Sequence, residues 1–582
     1  MSGPTPLAPR PSWRLAARYL AAMTLPRKSD YAGLSRSWRS DLMAGLTVGV
    51  VALPLALGFG VASGVGAAAG LVTAVVAGFV AAVFGGSQLQ VSGPTGAMTV
   101  VLVPVVARYG PESVFALSIL AGVLVIAMGL LGMGRLVSVI PWPVVEGFTL
   151  GIGVIIFLQQ VPLALDTERP EVENATAAAL ETVRQTDWSL ALAPLAVTIG
   201  VIVLMLALSR LRRSLHASLI AVAVATLVVE VTPMEVERIG ALPDALPSLS
   251  VPAWDAAALS GMLPSAMAIA ALAALESLLS ARVADGMVEH IPKTDANREL
   301  VGQGMANVAS GMFGGMPATG AIARTAVNLR AGARTRVASA THAVVLVLIM
   351  VALAPVVALI PMSALAGVLI VTAFRMIDLR TGRAILRSTR ADAAVYLATV
   401  VMTIVFDLIL AVQVGVAVAA LLALRAMARV SGLSRRPVPA ELEPEQEDAL
   451  QHEHIAVYHF HGALFFGGTK RFLDEMTTVK DVRVIILVLR EVRVMDASGA
   501  QALNEIIADL RRRGMTVLLK GLDANQLKLA RSLGVIDALG TSRHYMTDMA
   551  AAVAHAQNHV RFEVYGDEEL DCTDDARAVP VG

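Results

Sequence analysis

The sequence predicts a polytopic α-helical membrane protein with 14 spans in a 7+7 inverted repeat, followed by a cytoplasmic α/β domain. Of the 582 residues, 56% are hydrophobic and only 16% are charged. Multi-span membrane proteins have such a composition and soluble domains do not. Apolar runs follow one another from Leu42 to Ala428, and the composition becomes that of a soluble domain after Arg429.

The amino-terminal segment, residues 1–40, is expected to stay in the cytoplasm. Its arginines and lysine far outnumber its one acid, Asp30, and it lacks the early apolar core of a cleavable signal peptide. Positively charged segments next to a first span are usually retained on the cytoplasmic side.

Residues 41–429 are predicted to form the membrane domain. A helix needs about 20 apolar residues to cross a bilayer, and several runs contain glycine or proline. The predicted spans start near residues 42, 64, 94, 112, 140, 188, 214, 258, 296, 319, 337, 361, 391 and 408. The third and the tenth are shorter than the others.

The loops support this count. Basic clusters surround Arg210, Arg330 and Arg375, and acid-rich loops occupy 166–173 and 230–255. If the chain starts in the cytoplasm and alternates sides, every basic cluster falls inside and both acid-rich loops fall outside. We therefore expect a multi-pass protein of the cell (inner) membrane with both termini cytoplasmic.

The spans divide into two repeats of seven, about 41–232 and 254–429, and an odd number of spans gives the repeats opposite orientations. The third span of each repeat opens with proline, threonine and glycine, in Val91–Thr99 and Met316–Ala326. Such helix starts direct unpaired N–H groups and the positive end of the helix dipole at the space before them. Two of them facing each other predict a site for a small anion near the bilayer midplane.

Side chains around these helix starts are the candidates for chemistry. Glu276 lies inside the eighth span, where an ionisable group is costly, so we interpret it as a proton or cation site; a structural hydrogen-bonding role is the alternative. Arg324 offers positive charge to an anion, or else points to the cytoplasmic boundary or pairs with an acid. Thr95 and Thr319, each followed by a glycine, are expected both to cap their helices and to offer hydroxyls to a ligand.

Other ionisable residues are weaker candidates. Glu146 and Asp407 lie near span ends and His342 stands alone in an apolar run, so packing roles are favoured. After the spans, four histidines alternate along a predicted strand: His452, His454, His459 and His461. His459 and His461 share one face of that strand, but two histidines do not complete a zinc site. The single cysteine, Cys572, excludes a thiolate cluster, and no P-loop or catalytic set occurs. The net charge of zero gives no indication of nucleic-acid binding. Because no catalytic set and no complete metal site occur, we expect no enzyme activity, metal or cofactor other than a coupling ion, H⁺ or Na⁺.

The remainder of the chain is predicted in three parts. Residues 430–453 are a polar linker, 454–557 an α/β domain and 558–582 an acidic tail. The apolar pattern predicts strands at 455–460, 484–489 and 516–519 and helices at 469–478, 498–513 and 524–532.

Several blocks resemble one known family. Asp41–Pro54 resembles the first-span signature of the SulP anion permeases, relatives of the animal sulfate and anion exchangers. The segments 92–96, 276–280 and 317–325 match further blocks in the same order. The soluble part resembles a STAS domain, named for sulfate transporters and anti-sigma-factor antagonists; 462–467 and 496–499 carry that match. Together the blocks cover about 41–557.

The resemblance implies a core domain and a gate domain, with the anion between the third and tenth spans and contributions from the first and eighth. Leu55 and Phe59 would line the pocket, and Glu276 would couple transport to H⁺ or Na⁺. The implied helix-start residues are Thr95, Gly96, Ala97, Gly320, Ala321, Ile322 and Ala323, with Arg324 beside them. The core would move in an elevator-like step. A homodimer and a regulatory protein bound to the STAS domain are also implied.

Ser498 aligns with the serine that is phosphorylated in anti-sigma-factor antagonists. We favour a simpler role, a cap at the start of its helix, with Asp496 nearby.

These observations predict a secondary active transporter of sulfate, bicarbonate or a C4-dicarboxylate, in symport with H⁺ or Na⁺. The anion stays open, because backbone N–H groups do not distinguish carboxylate from sulfate. Three alternatives also stay open: a nucleobase-type permease of the same fold, a membrane-anchored STAS signalling protein and a passive channel.

Overall fold

The structure is a computed structural model. The chain forms two compact units, with the boundary between Ala419 and Ala420. It describes residues 23–135, 141–170, 172, 174–211, 217–250, 256–288, 292–405, 414–422, 424, 432–436, 454–464 and 482–565. The first unit contains the first thirteen predicted spans, and the second contains the predicted soluble domain.

In the described residues of the first repeat, the regular secondary structure is helical except for a two-residue strand, β1 (Ser92–Gly93). Its helices are α1 (Leu34–Ala62), α2 (Ala67–Phe84), α3 (Gly96–Tyr109), α4 (Ser113–Leu130), α5 (Trp142–Gln159), α6 (Val161–Leu165), α7 (Ala175–Gln185), α8 (Trp188–Leu211) and α9 (Ala217–Val231).

The second repeat follows the same plan and has its own short strand, β2 (Thr319–Gly320). Its helices are α10 (Ala256–Met287), α11 (Ala296–Met312), α12 (Ile322–Arg330), α13 (Arg336–Ala358), α14 (Met362–Met376), α15 (Leu379–Leu386) and α16 (Arg390–Val405).

The two broken spans are short, as predicted: α3 has 14 residues and α12 has nine. In the described ranges, eight helices are long and apolar enough to cross a membrane, and α3 and α9 are shorter apolar helices. The fourteenth predicted span starts near 408, outside the described residues, and so does Asp407. The count of fourteen therefore stays a prediction.

Helix packing shows the inverted repeat directly. α4 packs against α11, and the equivalent helices of the opposite repeats, α13 and α2, also pack against each other. Likewise, α5 packs against α16, and their equivalents, α14 and α8, pack against each other. β1 and β2 pair antiparallel, with Ser92 opposite Gly320 and Gly93 opposite Thr319. A pseudo-two-fold axis that exchanges the repeats accounts for all of these pairs. Helices α1–α4 with α10–α13 form the core domain, and α5–α9 with α14–α16 form the gate domain.

Residues 23–40, the described part of the amino-terminal segment, are fixed to the core domain by Asp30. Asp30 is 6% exposed and accepts hydrogen bonds of 2.9 and 2.6 Å from Arg298. Arg336 lies 3.3 Å away. Burial alone would raise the pKa of Asp30, but the Arg298 hydrogen bond, the Arg27 backbone N–H and the charges of Arg336 and Arg298 together hold that pKa below its usual value.

The second unit contains one five-stranded sheet in the order β3-β4-β5-β6-β7, in which the β3–β4 pair is antiparallel and the other pairs are parallel. The strands are β3 (Gly432–Arg436), β4 (Ile455–Leu464), β5 (Val484–Met495), β6 (Thr516–Lys520) and β7 (Tyr545–Met546). The helices are α17 (Ala497–Arg512), α18 (Ala524–Ser532), α19 (Val535–Ala538) and α20 (Met549–Tyr565).

Both faces of this sheet are covered. Alternate residues of β5 pack with α17 on one face, through Ile485 and Leu503, and with α20 on the other, through Ile486 and Val553. This alternation explains why the central strands were predictable, since strands buried on both faces are nearly continuous apolar runs.

Three features of this unit differ from the prediction. β3 lies inside the predicted linker. The sequence did not predict this strand, because an edge strand as polar as Gly432–Arg436 lacks the apolar pattern of a buried strand. α20 crosses the predicted domain end at 557, because Ala552, Ala556 and Val560 bury one face of the helix on the sheet. Asp496, rather than Ser498, caps α17: its carboxylate accepts a 2.7 Å hydrogen bond from the Gly499 N–H, and Ser498 is exposed. The predicted helix at 469–478 falls outside the described residues.

Candidate anion-binding site

The two short strands bring the two broken spans together. β1 leads into α3 and β2 leads into α12, and their antiparallel pairing places both helix starts at one location inside the first unit. The Ala321 N–H also donates to the Val91 carbonyl at 2.9 Å. Proline and glycine around each strand prevent the helices from continuing through this point.

Neither helix start is capped by a side chain. Thr95 occupies the cap position of α3 and Ala321 that of α12, and neither makes a side-chain cap hydrogen bond. The predicted capping role of Thr95 and Thr319 is therefore wrong, because their hydroxyls are used elsewhere. First-turn N–H groups of an uncapped helix remain available to an anion.

Glu276 is the acceptor for both threonine hydroxyls. Its Oε2 accepts a hydrogen bond from Thr95 Oγ1 at 2.9 Å and one from Thr319 Oγ1 at 2.7 Å. Thr319 is fully buried and Thr95 is 5% exposed, whereas Glu276 is half-buried. One carboxylate on α10 therefore joins the two repeats and still keeps part of its surface accessible.

Arg324 supplies positive charge at the same place. It is 2% exposed, its guanidinium donates to the Pro94 carbonyl, and its charge interacts with that of Glu276. Its Nη1 is buried without a hydrogen-bond partner within the described chain. Arg324 thus reaches from α12 to the turn before α3 and does not point to the cytoplasmic boundary.

The backbone donors predicted for the tenth span are not equivalent. The Gly320 N–H donates to Ser277 Oγ at 3.0 Å and the Ala321 N–H to Val91, so the protein itself uses both. Ile322 and Ala323 open α12 and are exposed. For α3, Gly96 and Ala97 open the helix and are buried.

The first span contributes an apolar wall. Phe59 is 5% exposed, and its ring lies so close to Gly96 that a side chain at position 96 would meet Phe59 and Ile156. The Phe59 carbonyl accepts a 3.4 Å hydrogen bond from Thr99. Leu55 lies one turn earlier on α1 and is 9% exposed.

Sequence reasoning missed a set of polar residues that hold β2 in place. Gln303 accepts a hydrogen bond from Ser92 at 2.9 Å and donates to the Ala318 carbonyl at 2.9 Å. Asn307 accepts from the Ala318 N–H at 2.7 Å. The spacing of Gln303 and Asn307, four residues apart in a predicted span, is the signal that could have revealed them.

The weaker candidates have local partners. Glu146 accepts a hydrogen bond from Trp142 at 3.0 Å, and buried His342 donates from Nδ1 to the Ser339 carbonyl at 2.8 Å. An apolar groove of about 820 Å³ lies between α1, α9 and α13 and includes Val50, Leu219 and Leu348. Its lining suits hydrocarbon chains, so the candidate anion site is the one at Glu276 and not this groove.

The fold and this site define a class of protein: a membrane transporter built from inverted repeats, with two half-length helices that start at a shared site. The chain belongs to the sulfate permease family, whose family model matches residues 38–399, and a STAS domain matches residues 447–547.

Relatives and solved structures agree with this membership. The bicarbonate transporter BicA of Synechocystis is 32% identical over 537 residues, which cover 88% of this chain and 93% of that protein. The structure of the transmembrane domain of a cyanobacterial BicA is 32% identical, covers 66% of this chain and 97% of that one, and has a TM-score of 0.58.

The structure of SLC26A9 shows the same fold over nearly the whole chain. Its TM-score is 0.79 at 16% identity, with 97% of this chain and 99% of that chain covered. The predictions of an anion transporter family, of a STAS domain and of a protein that is not an enzyme are confirmed by these similarities.

Proposed function

We propose that the chain is a secondary active transporter of a small anion, sulfate, bicarbonate or a C4-dicarboxylate, coupled to H⁺ or Na⁺ through Glu276. The observation that carries the proposal is the contact of one half-buried carboxylate with the threonines that precede both half-length helices, at 2.9 and 2.7 Å. A cation bound at Glu276 and an anion bound at the helix starts would each change the electrostatic environment of the other.

The charge balance supports coupling. Each helix start contributes about half a positive charge, and Arg324 contributes one. Ionised Glu276 offsets one of these charges, so the site carries about one net positive charge. A proton or Na⁺ at Glu276 raises this to about two, which strengthens the attraction for an anion. An anion and a cation are then favoured together, as symport requires.

An elevator-like movement is the transport step that we propose. Glu276, Thr95, Thr319 and Arg324 all lie on elements of the core domain, and their hydrogen bonds join α3, α10 and α12. A core held together in this way would carry the site past the gate domain as one body. We further propose a homodimer in the cell (inner) membrane with both termini cytoplasmic, and a STAS domain that binds a regulatory protein.

Flux measurements test the proposal. The purified chain in liposomes should take up labelled bicarbonate, sulfate or fumarate faster under an inward proton or sodium gradient. Glu276→Gln should remove the stimulation by the gradient, because the amide stays neutral. Glu146→Gln is the matched control, since Glu146 also lies on a membrane helix but contacts only Trp142 among the bonds described. If Glu276→Gln responds to the gradient as wild type does, the coupling role is wrong.

The same assay separates the alternatives. Competition by uracil and not by anions would support a nucleobase permease, although Leu55 and Ala321 offer no polar side chain to read a ring. Deletion of residues 440–582 should preserve uptake if the membrane domain transports by itself. Absence of any flux from the intact chain would support the signalling role, and uptake that fails to saturate would support a channel.

A further inference from the structure

Three histidine side chains meet in the second unit. His544 ends the 3-10 turn Ser542–His544, and His555 and His559 lie four residues apart on α20. Their ring centroids are 5.0 to 5.6 Å apart, and one ring nitrogen of each lies within 4.8 Å of the other two. Two histidines at this helical spacing present their rings to a single metal ion from one face.

The His544 ring is already oriented as a ligand. Its Nδ1 lies 3.0 Å from the Leu539 carbonyl. A carbonyl only accepts hydrogen bonds, so Nδ1 carries the proton and Nε2 keeps the lone pair that a metal needs. Metal-bound histidines in proteins are generally held by such a bond from the second nitrogen.

The helix that carries the other two ligands is also fixed. Ala552, Ala556 and Val560 are buried against the sheet, which holds α20 in position along its length. His555 and His559 are half-buried, as is His544. The cluster is therefore ordered by the fold and remains open to solvent on one side.

We propose that His544, His555 and His559 form a binding site for a divalent transition-metal ion, and that Zn²⁺ is the ion that fits it. Three imidazoles with an open fourth position, which water fills, make a tetrahedral zinc site. Zn–N bonds of about 2.0–2.1 Å require the nitrogens to approach to roughly 3.3 Å, which small rotations of the rings supply. Ca²⁺ and Mg²⁺ are excluded because they require oxygen ligands.

The nearby Arg511 limits the affinity. Its guanidinium donates to the Ala538 carbonyl at 2.8 Å, and its charge acts on His544. A fixed positive charge opposes a bound cation, so the site should exchange its metal rather than retain it permanently. Bound Zn²⁺ would tie α20 to the turn before β7 and stabilise the second unit in proportion to its occupancy.

Zinc titration of the full chain tests the site. The protein is purified in detergent without a histidine tag, stripped with a chelator and titrated with Zn²⁺ against a chromophoric chelator. We expect one competing site per chain and at least a tenfold loss of affinity in each of His544→Gln, His555→Gln and His559→Gln. His461→Gln, in β4 of the same unit, is the matched control and should bind as wild type does.

Two further measurements keep the outcome clear if a variant fails to fold. Co²⁺ bound to the wild type should give the intense visible spectrum of four-coordinate cobalt, and Zn²⁺ should raise the melting temperature of the wild type but not of the triple variant. Equal binding by wild type and triple variant, an equal loss in His461→Gln, or a six-coordinate cobalt spectrum would each overturn the proposal.

Discussion

The two half-length helices at the site, α3 and α12, share a backbone arrangement and differ in their side chains. Each follows a short strand, and neither is capped by a side chain. However, α3 starts directly after Thr95, whereas Thr319 lies in β2, three residues before α12 begins. Five residues after each threonine, α12 carries the buried Arg324 and α3 carries Val100.

This comparison separates two contributions to the site. The repeat symmetry supplies hydroxyls and helix starts from both halves, whereas the charged side chains described at the site, Glu276 and Arg324, both come from the second half. The anchoring of Asp30 is unequal in the same way, because the two arginine side chains that contact it, Arg298 and Arg336, both lie in the second repeat. Substitutions at matched positions of the two repeats should therefore have unequal effects.

The largest effect is expected for Arg324→Gln. Removal of this charge takes one positive charge from the site, and a hydrogen bond made by a charged group contributes about 1.5–3 kcal/mol. We expect anion uptake in liposomes to fall on the order of 100-fold, and Arg324→Lys to recover part of it. Val100→Ala is the matched change in α3 and should stay near wild type. Equal losses at both positions would contradict the inequality between the repeats.

Asp30→Asn should have the next largest effect, on stability rather than on uptake. Without the carboxylate, the buried Arg298 and Arg336 lose the ion pairs and hydrogen bonds that they make to Asp30, which costs about 3 kcal/mol or more. Because the pKa of folded Asp30 lies below its usual value, its contribution is complete at pH 7 and is lost as pH falls through the folded pKa.

Melting temperatures in detergent measure this effect. The difference between wild type and Asp30→Asn should be largest at neutral pH and should shrink below about pH 4. Glu112→Gln is the control, because it changes an exposed carboxyl group in the same unit. It should leave the melting temperature unchanged both at neutral pH and at acidic pH. A difference that grows on acidification would show that Asp30 is not stabilised as its ionised form.

The smallest effects are expected at the two threonines. Thr319→Val and Thr95→Val each remove one hydrogen bond to Glu276, worth about 1 kcal/mol, so apparent anion affinity should fall roughly fivefold. Thr319→Val should cost more, because Thr319 is fully buried and its bond is shorter, 2.7 against 2.9 Å. Serine at either position should restore affinity. A larger loss of anion affinity in Thr95→Val than in Thr319→Val would contradict the order expected from burial and bond length.

The spans were predictable because their signals are local. Apolar runs of helical length, and the Pro-Thr-Gly segments that break two of them, sit at the predicted places in the structure. Polar contacts were less predictable, because each depends on a residue far along the chain. Ser277 was visible in the sequence beside Glu276, but only the fold places its hydroxyl on the Gly320 N–H, 43 residues away.

The same reason explains the errors. A threonine before a helix is a good cap by local rules, yet the hydroxyls of Thr95 and Thr319 bond to a carboxylate on another helix. Ser498 is well placed in sequence to cap α17, but Asp496 makes the hydrogen bond. Whether a side chain bonds to its own helix or to a residue far along the chain is decided by tertiary packing. A single sequence does not show that packing.

The sequence by itself determined that this chain spans a membrane, that it repeats its helices in opposite orientation and that two of those helices are short and begin at a break in the chain. Periodicity, length and helix-breaking residues act over a few turns, so these properties can be read locally. The tertiary structure alone decided that Glu276 joins both repeats, that Arg324 turns toward α3 and that three histidines meet on one side of α20. These contacts depend on the packing of separate helices and turns, which only the folded chain brings together.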